Sequence, residues 1–505
     1  MLIMKRYSDF MNEITQADLY KGLLGYGLFS EKLPPFLSSE DFCSYCIKTN
    51  PSFQDKPRAP VYYESMRNTN VPRLIGIPSP MAYQKLCGCI SSNWSELQNL
   101  FSNNTINEKH TISRIHLRRM FDTPMMFKMN YSNWQIDGTP EPELLIGSKY
   151  IVHADISTCF PSIYTHSIPW AIVGKDTAKA RKGNKWKKEW YNQIDHYSQN
   201  CKYGETHGLL IGPHANNLLS EIILTDVDSR LSTKWNYIRN IDDYTCFVKT
   251  QEEAQLFLIE LSDELRKYDL TLNHKKTEIA ELPMAMTEQW HRQIGNPSTF
   301  FRNGLFDYIS ARTYFDNAIE IMHHNKENSA ILNYAIKTLP KDKMTKNAVE
   351  YCVKTIMHLC MIYPYLLQII DEHVFIRYKV SADIIKTFAQ SVYDQELKSH
   401  NYDGVCFALL FSIKYGFQLD TIKAQDAIDS DSCLFRLLAF LYFRKNAIAN
   451  ERAQLRQLAL NLKSNEEDFG RNWLFVYEVL PQSDLPEDWK TLKSNGISFI
   501  RKEYQ

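Results

Sequence analysis

The chain has 505 residues, 44% hydrophobic and 13% aromatic, which is enough for roughly two to three domains and excludes global disorder. Its 58 basic residues balance 58 acidic ones, so a nucleic-acid partner has to be held by a local patch and not by overall charge. Eleven cysteines, odd in number and scattered, read as reduced thiols of a cytoplasmic protein and not as a disulfide framework.

The start, Met1 to Tyr7, lacks the apolar stretch and cleavage site of a signal peptide. Residues 1–55 read as helical and irregular. Cys43 and Cys46, with Cys87 and Cys89 further on, could offer four thiolates to zinc, although buried thiols are the usual fate of free cysteine. In residues 58–90 a strand enters a proline-punctuated turn, Arg73-Leu-Ile-Gly-Ile-Pro-Ser-Pro, and a helix is expected from about Met81. Residues 91–150 carry charge at Arg114, Arg118 and Arg119 and a loop by composition from Asp137 to Glu143.

Lys149 to Asp155 is an apolar strand that ends in an acid and reaches an aromatic, Phe160, five residues later. Lys175 to Lys188 holds seven basic residues and one acid beside Trp186 and Trp190. Such a mixture suits single-stranded nucleic acid, and a solvated helix face is the alternative. At His207-Gly208 a glycine turn opens a long amphipathic helix running toward Asp228. Trp235–Arg239 and Thr245–Lys249 read as strands joined by Asn240-Ile241-Asp242-Asp243-Tyr244, a hairpin with two acids at its turn. Adjacent carboxylates raise each other's pKa. A hard cation with oxygen ligands, Mg²⁺ above all, relieves that cost, while a solvated turn is the plain alternative. Asn273-His-Lys-Lys276-Thr277 follows.

From about Phe300 the pattern becomes helical: Tyr308–His323, Ser329–Thr338, Asn347–His358, Ala382–Ser391, Val405–Tyr415, Leu434–Phe443, Ala453–Leu462 and Trp473–Leu480. Successive helices with short links predict stacked helical hairpins of HEAT-like type. The most apolar run, residues 355–370, is broken by His358 and Pro364 and is too short to span a bilayer, so no membrane partner is expected. His323, His324 and His358 read as structural.

Taken in order, the turn at Arg73, the Asp155 strand, the His207-Gly208 helix, the Asp242-Asp243 hairpin and Asn273…Lys276 resemble the fingers and palm of reverse transcriptases. Two departures, Asn240 in place of an aromatic and His207 in place of glutamine, narrow the resemblance. With Tyr164-Thr165-His166-Ser167-Ile168-Pro169-Trp170 and Glu205-Thr206-His207-Gly208, they resemble the abortive-infection (Abi) polymerases of bacterial phage defence. The fold this implies is α+β, with reverse-transcriptase-like fingers and palm followed by an all-α HEAT-like repeat domain. It divides into residues 1–55, 56–295 and 296–505.

The resemblance implies Asp155 and Asp242 as metal ligands with the Ile156 carbonyl completing the shell, Asp243 as a supporting carboxylate, and Mg²⁺, or Mn²⁺, as the ion. It puts Arg73 and Arg67 on the triphosphate of a dNTP. Phe160 lies against its sugar, and His207 and Gly208 lie at the nascent base pair. Lys276 becomes a general acid toward pyrophosphate. It further implies DNA synthesis without a template, started from a tyrosine of the protein and leaving single-stranded DNA attached to it. Tyr26, between Gly25 and Gly27 in an expected mobile loop, is the candidate, with Tyr7, Tyr20 and Tyr45 as alternatives. A homo-oligomer, trimer or hexamer, is implied as well. Two rivals stand beside this reading: a template-copying reverse transcriptase, and an inactive palm serving as a nucleic-acid scaffold.

Overall fold

The structure is a computed structural model, and it describes residues 5–114, 117, 138–285 and 288–505. Arg118, Arg119 and Asp137, singled out above, lie outside the described residues. Three helices open the chain: α1 (Tyr7–Asn12), α2 (Gln16–Tyr26) and α3 (Glu40–Thr49). α2 starts on a capping box in which Thr15 and Asp18 satisfy each other's backbone N–H groups. An antiparallel hairpin follows, β1 (Val61–Met66) and β2 (Pro72–Ile77). It leads into α4 (Pro80–Ser92), where Pro80 occupies a first-turn position whose N–H has no partner to lose, and then α5 (Trp94–Thr105).

The central sheet has four antiparallel strands in the order β4-β5-β3-β6. They are β3 (Tyr150–Asp155), β4 (Tyr237–Asn240), β5 (Asp243–Val248) and β6 (Glu278–Glu281). Side chains alternate between its faces as the pleat demands. Val152, Ala154 and Cys246 enter the main core, while Ile151, Ile238 and Phe247 form a small cluster on the other face. Helix α6 (Trp190–Asn200) packs on α4, while α7 (His214–Leu231) and α8 (Gln251–Arg266) lie against the main face of the sheet. The long helix after Gly208 is not the amphipathic one expected. α7 is buried on nearly every side, because α5 and α8 both pack against it.

All eight expected C-terminal helices are present, most of them longer at one end or both: α9 (Tyr308–His324), α10 (Ala330–Thr338), α11 (Lys346–Ile362), α12 (Ala382–Lys398), α13 (Tyr402–Tyr415), α14 (Cys433–Lys445), α15 (Ala449–Lys463) and α16 (Trp473–Val479). α12 packs on α13, α13 on α14, and α14 on α15 and α16. This is the nearest-neighbour stacking of a helical solenoid. One cluster of buried apolar residues runs from Tyr7 to Tyr504, so the N-terminal helices, palm and solenoid share a core.

The β1–β2 hairpin rests on the solenoid. Asp403 accepts from the Tyr63 hydroxyl and, at 2.9 Å, from the Met66 N–H. Asn68 bonds Asn328 at 2.5 Å, and Gln368 donates to the Met66 carbonyl at 3.2 Å.

Candidate active site

Strand register builds the acidic cluster. β3 and β5 pair so that Asp155 lies opposite Asp243, and β4 and β5 pair so that Asn240 lies opposite Asp243. Only Ile241 and Asp242 are left to make the turn. Ile241 takes a left-handed φ of 57°, which a β-branched residue adopts at a cost on the order of 1–3 kcal/mol. The Ile156 N–H reaches across to the Asp242 carbonyl at 3.0 Å, so the main chain ties the two acidic segments together.

The turn is held from behind by Arg239, which in the sequence is only the end of an apolar strand. Arg239 Nη1 donates to the Ile241 carbonyl at 2.8 Å. The guanidinium is fully buried and pairs with Glu221 and Asp228, both at 2.7 Å. Tyr7 and Ser113 donate to Glu221 at 2.9 and 3.1 Å, and Tyr237 donates to Asp228 at 2.8 Å. Burial alone would depress the Arg239 pKa, but the Asp228 and Glu221 carboxylates raise it well above its ordinary value. The signal in the sequence was Glu221 and Asp228 themselves. Seven residues apart, they lie two turns apart on one face of α7.

Asp155 is 5% exposed. Its Oδ1 accepts from Asn273 Nδ2 at 3.0 Å and its Oδ2 from Lys276 Nζ at 2.6 Å. That hydrogen bond to Asp155 raises the Lys276 pKa. Lys276 is thus the partner of Asp155 and a weaker acid than a lysine without such a partner. Desolvation raises the Asp242 pKa, with the Asp155 charge adding to it, while Lys276 and Arg73 oppose the shift. Asp243 is pushed up to about 7 by desolvation first, then by the Asp242 charge and a hydrogen bond with Asp155. Carboxylates crowded at this cost are a donor set for a hard divalent cation. Among the described residues no three His, Cys, Asp or Glu side chains close around one point. Asp155 and Asp242, with Asp243 beside them, are the residues that would hold such an ion.

A wall lies beside the cluster. Phe160, half-buried in the short helix Cys159–Ser162 that follows β3, accepts through its carbonyl from Leu209 N at 2.8 Å, and Gly208 N donates to the Ile163 carbonyl at 2.9 Å. Gly208 has φ +85°, and a Cβ there would stand 2.7 Å from the Pro161 carbonyl oxygen. The His207 side chain is exposed, and its carbonyl accepts from Lys202 Nζ. β2 docks on the same segment, with Gly76 N donating to the Ile211 carbonyl at 2.9 Å. From β2, Arg73 comes within electrostatic reach of Asp242. Its pKa is lowered by desolvation and then by Arg67, with Asp242 acting against both. Arg67 spends its Nε on the Val71 carbonyl at 3.1 Å, inside its own hairpin. The structure thus brings together Asp155, Asp242, Asp243, Lys276 and Arg73, with Ile156 between the acids.

Tyr26 does not lie in a loop. It is the last residue of α2, and the flanking Gly27 is pinned, its carbonyl accepting from His214 N at 2.8 Å and the Tyr83 hydroxyl at 2.9 Å. The Tyr26 hydroxyl donates to Glu40 Oε2 at 2.9 Å, and desolvation, followed by that bond, pushes its pKa up to about 12. It lines a cleft of about 280 Å³. Tyr7 is buried against Glu221, Tyr20 accepts from Gln84 at 3.1 Å, and Tyr45 is half-buried. Cys43, Cys46, Cys87 and Cys89 are buried free thiols whose pKa values burial raises. Cys89 turns its Sγ to the Trp190 carbonyl at 3.7 Å.

Residues 88–302, the stretch containing the whole acidic cluster, match the family described as reverse transcriptase (RNA-dependent DNA polymerase). The chain therefore carries a polymerase domain of the reverse-transcriptase type, and it is a nucleotidyltransferase. Polymerases of this kind use divalent metal ions. No curated protein sequence matches the chain. Solved structures with similarity include apo telomerase from Candida tropicalis, at 11% identity and TM-score 0.32, covering 74% of this chain and 69% of that one. Telomerase from the same organism in complex with a TWJ fragment of telomeric RNA matches at 12% identity and TM-score 0.30, covering 74% and 67%. A Candida albicans telomerase in complex with such a fragment matches at 10% and 0.27, covering 72% and 63%. Among the described residues no helix is long and apolar enough to cross a membrane.

Proposed function

We propose that the protein polymerises dNTPs into DNA without a template, starts from a tyrosine of its own chain, and acts in abortive infection against phage as a cytoplasmic homo-oligomer (trimer or hexamer). The observation that carries the polymerase part is the register that sets Asp155 opposite Asp243 with Asp242 at the adjoining turn. The Abi-like segments around Tyr164–Trp170 and Glu205–Gly208 support the finer part.

In this reading Asp155 and Asp242 hold Mg²⁺ or Mn²⁺, with the Ile156 carbonyl and substrate oxygens completing the shell. The ion supplies activation of the attacking hydroxyl and neutralisation of the leaving pyrophosphate. Asp243 keeps the pair of ligands crowded. Arg73 clamps the triphosphate, a task suited to a planar guanidinium. Phe160 lies against the sugar and disfavours a 2′-hydroxyl. The bare Gly208 admits the nascent base close to the main chain. Tyr26 is the preferred primer because Tyr7 is sealed in the core and the Tyr26 hydroxyl already faces a base, Glu40.

The test is incubation with Mg²⁺ and labelled dNTPs, without template or primer, followed by a denaturing gel. Label that stays with the protein after boiling, and is absent in Asp242→Ala, is expected. Synthesis only on a primed RNA would make it a template-copying reverse transcriptase. Continued labelling of Tyr26→Phe would move the primer to another tyrosine.

A further inference from the structure

The seven cations between Lys175 and Lys188 form a folded strap, not a solvated helix face. A short helix, Lys175–Ala180, breaks at Arg181 to Gly183, and Gly183 turns with φ +104°. The strap is pinned from α6, where Asn192 Nδ2 donates to the Arg181 carbonyl at 3.1 Å and to the Trp186 carbonyl at 2.9 Å. The half-exposed Trp186 sits between two of the cations, with the Arg181 guanidinium 5.0 Å and the Lys185 ammonium 5.2 Å from its ring centre. Among the described residues none of the seven is within ion-pair distance of a carboxylate. Folding thus concentrates like charge and leaves it unneutralised, at a cost that an anionic partner would remove.

Beneath the strap is a cleft of about 270 Å³, lined by His166, Trp170, Lys182, Lys187, Asn192 and Asp195 among others. The acid in it is already engaged: Asp195 accepts from Gln199 at 2.7 Å and is paired with His166 Nδ1. Lys175 covers the Trp170 indole at 4.0 Å, so Trp170 is a wall of the cleft and Trp186 is the open ring. The cleft adjoins the candidate nucleotide wall. The His166 ring is 4.8 Å from the Tyr164 ring, and Tyr164 pairs by its backbone with His207, next to Gly208.

We propose that the strap and cleft bind single-stranded nucleic acid, phosphates on Lys182 and Lys187 and a base stacked on Trp186. Unpaired cations beside an open aromatic ring match a flexible strand, whose bases are free to stack. The proposal rests on the polymerase reading only for which strand is held. A DNA strand would be the product and an RNA strand a template.

The test is fluorescence anisotropy of the full chain bearing Asp242→Ala, which cannot extend the probe, with labelled single strands of about twelve nucleotides, dT or rU, within the usual site size. Lys182→Gln with Lys187→Gln is expected to lower affinity at least tenfold and to flatten the log–log salt dependence by about 0.7 for each phosphate left unneutralised. Trp186→Ala is expected to lower affinity while leaving that slope unchanged, since stacking releases no counterions. All three side chains lie at the surface, and unchanged melting of the variants checks the fold. Affinity and slope that ignore all three changes, or tighter binding of a duplex than of a single strand, would overturn the proposal. A failed polymerase reading would leave this binding intact. Lost binding with intact addition of the first nucleotide would separate the strap from the catalytic centre.

Discussion

Arg239 is where the chemistry of single residues departs most from what a local reading offers. It closes an apolar strand, and its neighbours in sequence say nothing of the two carboxylates that neutralise it in the core. A buried ion pair adds little net stability, but breaking one by removing a single partner costs about 3–5 kcal/mol. Arg239→Met is therefore expected to unfold at much lower urea concentration than wild type. Replacing Glu221 by Gln and Asp228 by Asn in the same chain removes the stranded charges and should restore most of the loss. Nucleotide incorporation should stay low in the triple variant, because nothing then donates to the Ile241 carbonyl. Recovery of activity together with stability would show that the turn does not need that bond.

Lys276 poses a sharper question. Its ammonium occupies Asp155 Oδ2 at 2.6 Å, an oxygen that a divalent ion would also claim. Lys276→Gln should therefore lower the Mg²⁺ concentration needed for half-maximal incorporation. A general acid would instead show a fall in kcat with the Mg²⁺ requirement unchanged.

At the scale of elements, periodicity reveals the long helices well and the short ones poorly. α9 to α15 are long enough for an apolar stripe or run to show, and α16, though only seven residues long, is apolar at nearly every position. Glu466–Arg471 and Glu487–Ser494 are a turn or two long and leave no such stripe. The strands of the acidic hairpin are visible as apolar runs, whereas β6, Glu-Ile-Ala-Glu, is a strand only because β3 offers it an edge. Glycines on both sides of Tyr26 suggest mobility, while Gly25 is in fact a helical residue packed 3.3 Å (as a notional Cβ) from Cys43. The wall segment shows the opposite case, a glycine that is needed. Gly208→Ala would put a methyl against the Pro161 carbonyl at a positive φ, and a loss of about 1–3 kcal/mol is expected, read by thermal melting. The displacement falls where Phe160 and Leu209 bond, so the KM for dNTP should rise more than kcat falls. A variant with wild-type stability and KM would show that the turn relaxes freely.

Across the whole molecule, the solenoid does more than follow the palm, because it carries the hairpin that presents Arg73. No local pattern could reveal this. Tyr63 and Asp403 are 340 positions apart, and each looks ordinary in its own segment. Asp403 is buried, and desolvation raises its pKa from 3.8 to about 6, even though Tyr63 and Met66 bond it and pull it down.

A carboxyl whose folded pKa is raised stabilises the fold fully below its unfolded pKa, and that contribution is lost as pH climbs through about 6. By linkage the difference amounts to about 3 kcal/mol between acid and neutral pH. Asp403→Asn has no proton to gain, and it gives up one of the two accepted hydrogen bonds, a loss of about 1 kcal/mol. At pH 7 that loss is offset by relief from burying a charge, so the variant should melt close to wild type. At pH 5 wild type should melt distinctly higher than the variant. Parallel melting profiles from pH 7 to pH 5 would mean that the clamp on the Arg73 hairpin carries no titrating charge, and that hairpin and solenoid are joined by packing alone.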